Sequence, residues 1–298
     1  MSLGPHVILS TPAALAWASR APIVKQMDGT NALQAAPASA IRIFRQSYAN
    51  EGDTSSSAAT VNADLAGLKG YTHPNLYLQL WCGAHPSRAI LTQAVNLCHN
   101  LGFKTVGSSW FTGDYTQTDW DDATAAGVDA YAPQCYWGNQ GFTLDHALRY
   151  RQFWKPGQKP VMILECGRDA IEGGLGGWIK DGLTAVQYAA ELTGYNAEIS
   201  KDKFVLGATP FTASPTTDWL PYNTDTVSPL LPGGTPVATF QVGPGIAALM
   251  ATKKDTPQSN EHYAIDSNGQ VYKSEAFGKL GLYSWNKDAN ITAFFPFG

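Results

Sequence analysis

A chain of 298 residues, 44% hydrophobic and only 15% charged, can bury a large core, which excludes an intrinsically disordered segment. Its net charge of −4, with no Lys/Arg run longer than two, excludes electrostatic capture of nucleic acid, which needs a clustered cationic face. No stretch reaches the ~20 apolar residues of a membrane span. The opening Met1-Ser2-Leu3-Gly4-Pro5-His6 lacks the basic and apolar regions of a signal peptide.

Apolar runs of strand length alternate with stretches of helical period along the chain, which predicts βα units and a parallel sheet. The runs are residues 6–10, 23–27, 40–45, 76–81, 105–109, 128–134, 161–165 and 204–210. Between them, Thr11 and Pro12 open a helix over 12–19, a cap with proline in the first turn. Helices are predicted over 57–68 and 87–101 from i, i+3/i+4 spacing, and over 119–126 from Thr118 as cap to Gly127 as stop. Two more cover 143–154, stopped by Lys155-Pro156-Gly157, and 184–198, capped by Thr184. Eight such units predict a closed (β/α)₈ TIM barrel. An open doubly wound sheet would carry a glycine-rich first turn, and Ser10-Thr11-Pro12 is not one.

After Trp219 the composition turns to Pro, Thr, Asp and Gly. Residues 1–225 are read as the barrel, and 226–298 as a linker and small β-rich extension packed on it. Strand-like pieces are expected at 237–242, 262–265, 270–273, 280–285 and 291–295, with a turn at Ser267-Asn268-Gly269. The four cysteines, Cys82, Cys98, Cys135 and Cys166, include no CxxC pair, make no disulfide scaffold and favour a reducing compartment.

Reacting groups of a (β/α)₈ barrel sit at the C-terminal ends of its strands. The seventh run, Pro160-Val161-Met162-Ile163-Leu164-Glu165, ends in one carboxylate. As a purely structural residue Glu165 would pair with Arg168 or Arg45. Burying a charge without a role is costly, which favours a functional one. Trp81, Trp110, Trp137 and Trp219 fall at or just past strand ends. Each alone can be a core residue; together they suit an aromatic rim on which sugar rings stack.

The chain resembles the glycoside-hydrolase-like (β/α)₈ barrels of the large retaining clan, and most of all its bacterial and phage-associated branch. The matching segments are Val24-Lys25-Gln26-Met27-Asp28, residues 42–45 and 160–169, and Gly176-Gly177-Trp178. Gln187-Tyr188, Gly207-Ala208-Thr209-Pro210-Phe211 and Asp218-Trp219 complete them. The resemblance spans roughly residues 5–225. It implies that Glu165 is the nucleophile or base, that Arg45 orients it, and that Trp219 is a sugar platform. Tyr131, Gln134 and Tyr136 would be hydrogen-bonding groups, and Asp28, Gln79, Trp81 and Trp110 would complete the substrate-binding set.

One departure matters. A retaining glycosidase needs carboxyl groups ~5–5.5 Å apart and an inverting one ~6.5–9.5 Å. Where the clan carries an acid/base after an Asn on strand four, this chain has Cys82-Gly83 and no acid between 76 and 84. Asp114 is the nearest substitute, with Asp28 and Glu51 behind it. Beside Gly113 and Gly29, Asp114 and Asp28 also read as turn aspartates. Cys82, Cys135, Cys166 and His85 could approach a zinc ligand set, but free cysteines packing as small hydrophobes is the better account, so no metal is expected. No P-loop or dinucleotide fingerprint is present, so no cofactor is expected. Three functions stay open: a glycoside hydrolase, a carbohydrate-binding pseudoenzyme without a proton donor, and a structural or adhesion component of a phage or cell surface.

Overall fold

The computed structural model describes residues 3–47 and 55–231, together with the strands Ile246–Met250, His262–Asp266, Val271–Phe277 and Leu282–Lys287. Contacts divide the chain into two units, Met1–Pro236 and Val237–Gly298.

The first unit alternates strand and helix: β1 (His6–Val7), α1 (Pro12–Ala18), β2 (Ile23–Met27), α2 (Asn31–Ala35), β3 (Ile41–Arg45), α3 (Ser57–Leu68), β4 (Leu76–Gln79), α4 (Arg88–Asn100). It continues with β5 (Lys104–Val106), α5 (Gln117–Ala126), β6 (Gln134–Trp137), α6 (Tyr150–Phe153), β7 (Val161–Arg168), α7 (Ala185–Ile199) and β8 (Val205–Pro210). All neighbouring strands are parallel, β1 to β5 in one sheet and β6 to β8 in another. Two seams join them. Val106 bridges Ala130 on one side; Leu3 bridges Ala208 and Val7 bridges Ala213 on the other. Eight strands therefore form a ring, a (β/α)₈ barrel.

Side-chain alternation builds the ring's interior in layers. Ile23, Ile43, Val106, Ala130, Ala132, Met162 and Leu164 form an inner apolar cluster. Two residues further along their strands come Lys25, Arg45 and Gln134, all buried, so a polar layer lies on the apolar one at the C-terminal end. The β7 alternation slips there: Leu164 faces the inner cluster and Cys166 the outer core, and the pairing with β8 shifts register between Ile163 and Cys166. The extra residue turns Glu165 inward, as bulges beside active sites do.

Several predicted boundaries move for local reasons. Strand six is interrupted: Pro133 has no N–H for the ladder, so 128–131 join by isolated bonds and the regular strand begins at Gln134. The cap of α5 is Thr116, not Thr118, because Thr116 and Asp119 form a reciprocal capping box. The helix predicted over 143–154 shrinks to Tyr150–Phe153. Thr143 Oγ1 and His146 Nδ1 both bind Glu172 Oε1, at 2.9 Å each, and draw that segment out of helical register.

The short α2 was not predicted. The Gln26 side chain accepts from Ala32 N–H at 2.7 Å and caps its start. Arg42 closes its other end: its guanidinium donates to the carbonyls of Leu33, Ala36, Pro37 and Ala40 at 2.7–2.9 Å.

Val227 and Leu231, in and beside the 3-10 turn Ser228–Leu230, are buried in the core of the first unit, which extends to Pro236. The second unit is an antiparallel meander of β9 (Ile246–Met250), β10 (His262–Asp266), β11 (Val271–Phe277) and β12 (Leu282–Lys287). The pieces expected at 237–242 and 291–295, and the turn at 267–269, lie outside the described residues. Strand β9 was not expected from the sequence.

Arg42→Met keeps the stem but leaves the Ala36 and Ala40 carbonyls without a donor, while Leu33 keeps Tyr71 and Pro37 keeps the Ala40 N–H. At ~1–3 kcal/mol for each buried polar group left unsatisfied, partly recovered by relaxation, the variant should lose ~2–4 kcal/mol. Urea unfolding of the two proteins measures it.

Candidate functional site

At the C-terminal face a cavity of about 440 Å³ opens over the polar layer, lined among others by Arg45, Cys82, Phe111, Gln134, Tyr136, Glu165, Asp169, Phe211, Trp219 and Tyr222. That size suits a small-molecule or sugar-ring site.

Glu165 is 6% exposed at its floor. Lys25 Nζ, fully buried, donates to Oε1 at 2.8 Å, and Tyr136 Oη donates to Oε2 at 3.0 Å. The Cys82 thiol stands 3.7 Å from Oε1, and Gln134 Nε2 donates to Cys82 Sγ at 3.3 Å. Burial alone would raise the Glu165 pKa, but the charge of Lys25, its hydrogen bond and the charge of Arg45 outweigh it and pull it to about 2. Burial lowers the pKa of Lys25 while Glu165 opposes the shift. His6, paired with Lys25 in the ladder, is held well below its ordinary value by burial and by the Lys25 charge, so its ring is neutral. Its edge packs on Phe211 with ring centres 5.0 Å apart.

The cavity wall is aromatic. Trp219, 44% exposed, meets Phe211 edge-on at 5.1 Å and Tyr222 at 5.9 Å. Phe111, 52% exposed, stands on the β5 loop. Asp169 lies just past β7, where Tyr222 Oη donates to its Oδ1 at 2.6 Å.

Of the residues singled out from sequence, Arg45, Cys82, Gln134, Tyr136, Glu165 and Trp219 line this cavity; Asp28, Gln79, Trp81, Trp110, Asp114, Tyr131 and Trp137 do not. Tyr131 points outward because Ala130 and Ala132 face the ring's interior; it stacks on Trp120 at 4.2 Å and hydrogen-bonds Thr124. Trp81 and Trp110 are buried in the outer core, Trp110 against Tyr115 and Trp120, so neither forms a rim. Trp137 is buried as well and donates to Glu191. Gln79 is fully buried and donates to the Trp81 carbonyl.

Asp28, at φ 55°, accepts from Gln46 and from the Ser47 N–H, a turn role. Asp114 is held by His85 at 2.9 Å, and Asp119 binds the other nitrogen of that ring at 2.7 Å. Cys135 and Cys166 are buried in the outer core, apart from Cys82. Glu51 lies outside the described residues. Glu165 pairs with Lys25 rather than Arg168, which binds Glu191.

Sequence reasoning missed Lys25, His6, Asp169, Phe211 and Tyr222 as site residues. Lys25 had a signal: it is a lone cation on the Ile23–Met27 face of an apolar strand. Asp169 and Tyr222 had none, since their meeting depends on loop paths.

Solved structures place this fold among glycoside-hydrolase-like barrels. A GH128 subgroup I endo-β-1,3-glucanase from Amycolatopsis mediterranei, crystallised with laminarihexaose, is 13% identical over 74% of this chain and 92% of its own, with a TM-score of 0.50. The same enzyme with laminaritriose and laminaribiose gives 12% identity and the same coverage and score. Bacteroides uniformis β-glucuronidase 2 covers 96% of this chain and 45% of its own, at 7% identity and a TM-score of 0.52. No protein-family model and no curated protein matches the chain. This is a glycoside-hydrolase-like TIM barrel by fold.

The folded Glu165 titrates below its ordinary 4.5, so its ion-pair contribution is complete above about 4.5 and is lost as pH falls through about 2. Lys25→Met strands the carboxylate and should cost ~3–5 kcal/mol at pH 7. Adding Glu165→Gln should restore most of that loss. Urea midpoints of wild type, single and double variants test this coupling.

Proposed function

We propose that this barrel binds a carbohydrate in the cavity at its C-terminal face and does not hydrolyse it. The observation that carries the reading is the pairing of an exposed aromatic wall with a carboxylate that is already neutralised. Trp219, Phe211 and Tyr222 offer faces and edges for sugar C–H groups, while Arg45 and Gln134 offer donors and the Tyr136 oxygen an acceptor. Glu165 is an ionised acceptor held by Lys25 and Tyr136, well suited to fixing a hydroxyl.

Hydrolysis needs a second carboxyl group at a defined separation, and the strand-four segment that supplies one in the clan has a thiol and a glycine instead. Asp114, bound by His85 and not lining the cavity, does not fill that gap. Laminari-oligosaccharides are the first ligands to try, because they are what the glucanase neighbour was crystallised with.

One observation favours a hydrolytic reading: Asp169 shares the cavity wall with Glu165. It lies four residues further along the chain, ~13 Å at full extension, so only inward-leaning side chains would reach an inverting separation.

Calorimetric titration with laminarihexaose and a glycan panel tests the proposal. Trp219→Ala should weaken binding at least ~10-fold, ~1.4 kcal/mol, with no reducing sugar released by wild type. Release that disappears in both Glu165→Gln and Asp169→Asn would replace binding by hydrolysis. Absence of binding across the panel would remove the carbohydrate reading altogether.

A further inference from the structure

We infer that Cys82 is a nucleophile placed for acyl transfer on a carboxylic ester, with Glu165 as its base. This does not rest on the carbohydrate reading. It rests on two groups that meet at one sulfur atom, Glu165 and Gln134.

Cys82 lines the cavity and is partly exposed, whereas Cys98, Cys135 and Cys166 are buried. Its position is fixed: the backbone bridges Ser109, Gly83 N–H donates to the Ser109 carbonyl at 2.7 Å, and the chain then turns through Gly83 at φ 67°. A Cβ at Gly83 would meet the Phe111 ring at 2.1 Å, so the turn that presents the thiol is specific to glycine.

The Cys82 thiol lies 3.7 Å from Glu165 Oε1, a carboxylate kept ionised and oriented by Lys25 and Tyr136. A nucleophile beside a base that is itself held by further groups is the arrangement covalent catalysis requires. Gln134 Nε2, 3.3 Å from Sγ, is a buried amide donor beside the point of attack. Ser109 is the ladder partner of Cys82, so the two side chains share a face. The Ser109 hydroxyl is fully buried and has no hydrogen-bond partner among the described residues. Of these two donors only the Gln134 amide lines the cavity beside Sγ, where a carbonyl oxygen would gain charge.

The atoms balance. Sγ attacks the ester carbonyl as its proton passes to Glu165, and Gln134 holds the oxyanion. The tetrahedral intermediate collapses, the C–O bond breaks, and the alkoxide leaves with the proton from Glu165. Water, deprotonated by Glu165, then attacks the thioester carbonyl; the carboxylic acid departs and the thiol is restored.

The probe is 4-nitrophenyl acetate with the full chain. The expected result is a burst of nitrophenolate approaching one per protein, with the acetyl group mapped to Cys82 by peptide mass spectrometry. Cys82→Ala should abolish the burst. Glu165→Gln should slow acylation ~100-fold or more, and Gln134→Leu by a similar factor. Thermal unfolding checks that each variant folds, and wild-type mapping decides the matter even where one does not. No burst, an acetyl group on another residue, or unchanged acylation in a folded Glu165→Gln variant overturns the inference. Laminarihexaose binding is read on the same wild-type sample, so failure of either reading is seen separately.

Discussion

The ion pair between Lys25 and Glu165 sets the terms for everything above it. Neither charge could be held at the floor of the ring alone, because the interior solvates ions far less well than water. Together they connect β2 to β7, strands 140 residues apart in sequence, across the barrel mouth. Tyr136 completes the second carboxylate oxygen, so Glu165 has one orientation and rests ionised at neutral pH. The polar layer is thus a fixed platform, and any ligand meets a surface that was organised before it arrived.

That organisation differs from the paired carboxyl groups a glycosidase needs on the same scaffold. A (β/α)₈ barrel hosts many chemistries, and its fold argues for none of them. What differs here is the partner across the floor. Opposite Glu165 stands a thiol with an amide donor beside it, in place of a carboxyl group. The proposed carbohydrate recognition would draw on the aromatic wall, whereas the inferred thiol chemistry would draw on the floor. The two share Glu165 but ask different things of it: an acceptor for a hydroxyl in one case, a carrier for a proton in the other.

Much of this was legible in the sequence. Eight apolar runs marked the strands, and Glu165, Arg45, Gln134, Tyr136 and Trp219 were placed at strand ends because a barrel puts its reacting groups there. The failures have physical causes. Tyr131, Trp81 and Trp110 also fall near strand ends, but proximity to a strand end does not say which face a side chain takes. Period-two alternation from Ala130 and Ala132 would have turned Tyr131 outward. For Glu165 that same alternation would have misled, because the irregularity between Ile163 and Cys166 shifts the parity and no residue in β7 announces it. Helix 143–154 failed because Glu172, from a distant loop, competes for its side chains.

The seam between β1 and β8 has a kinetic consequence. His6, Ile8 and Leu9 hydrogen-bond to residues 213 and 214, and Gly4 to Ala208, so the ring closes through contacts about two hundred residues apart. Such pairings carry a large loop-closure entropy and form slowly. During synthesis the first strand must wait, paired on one side only, until the last has emerged. The mouth that Lys25 and Glu165 share is therefore among the last parts of the molecule to exist.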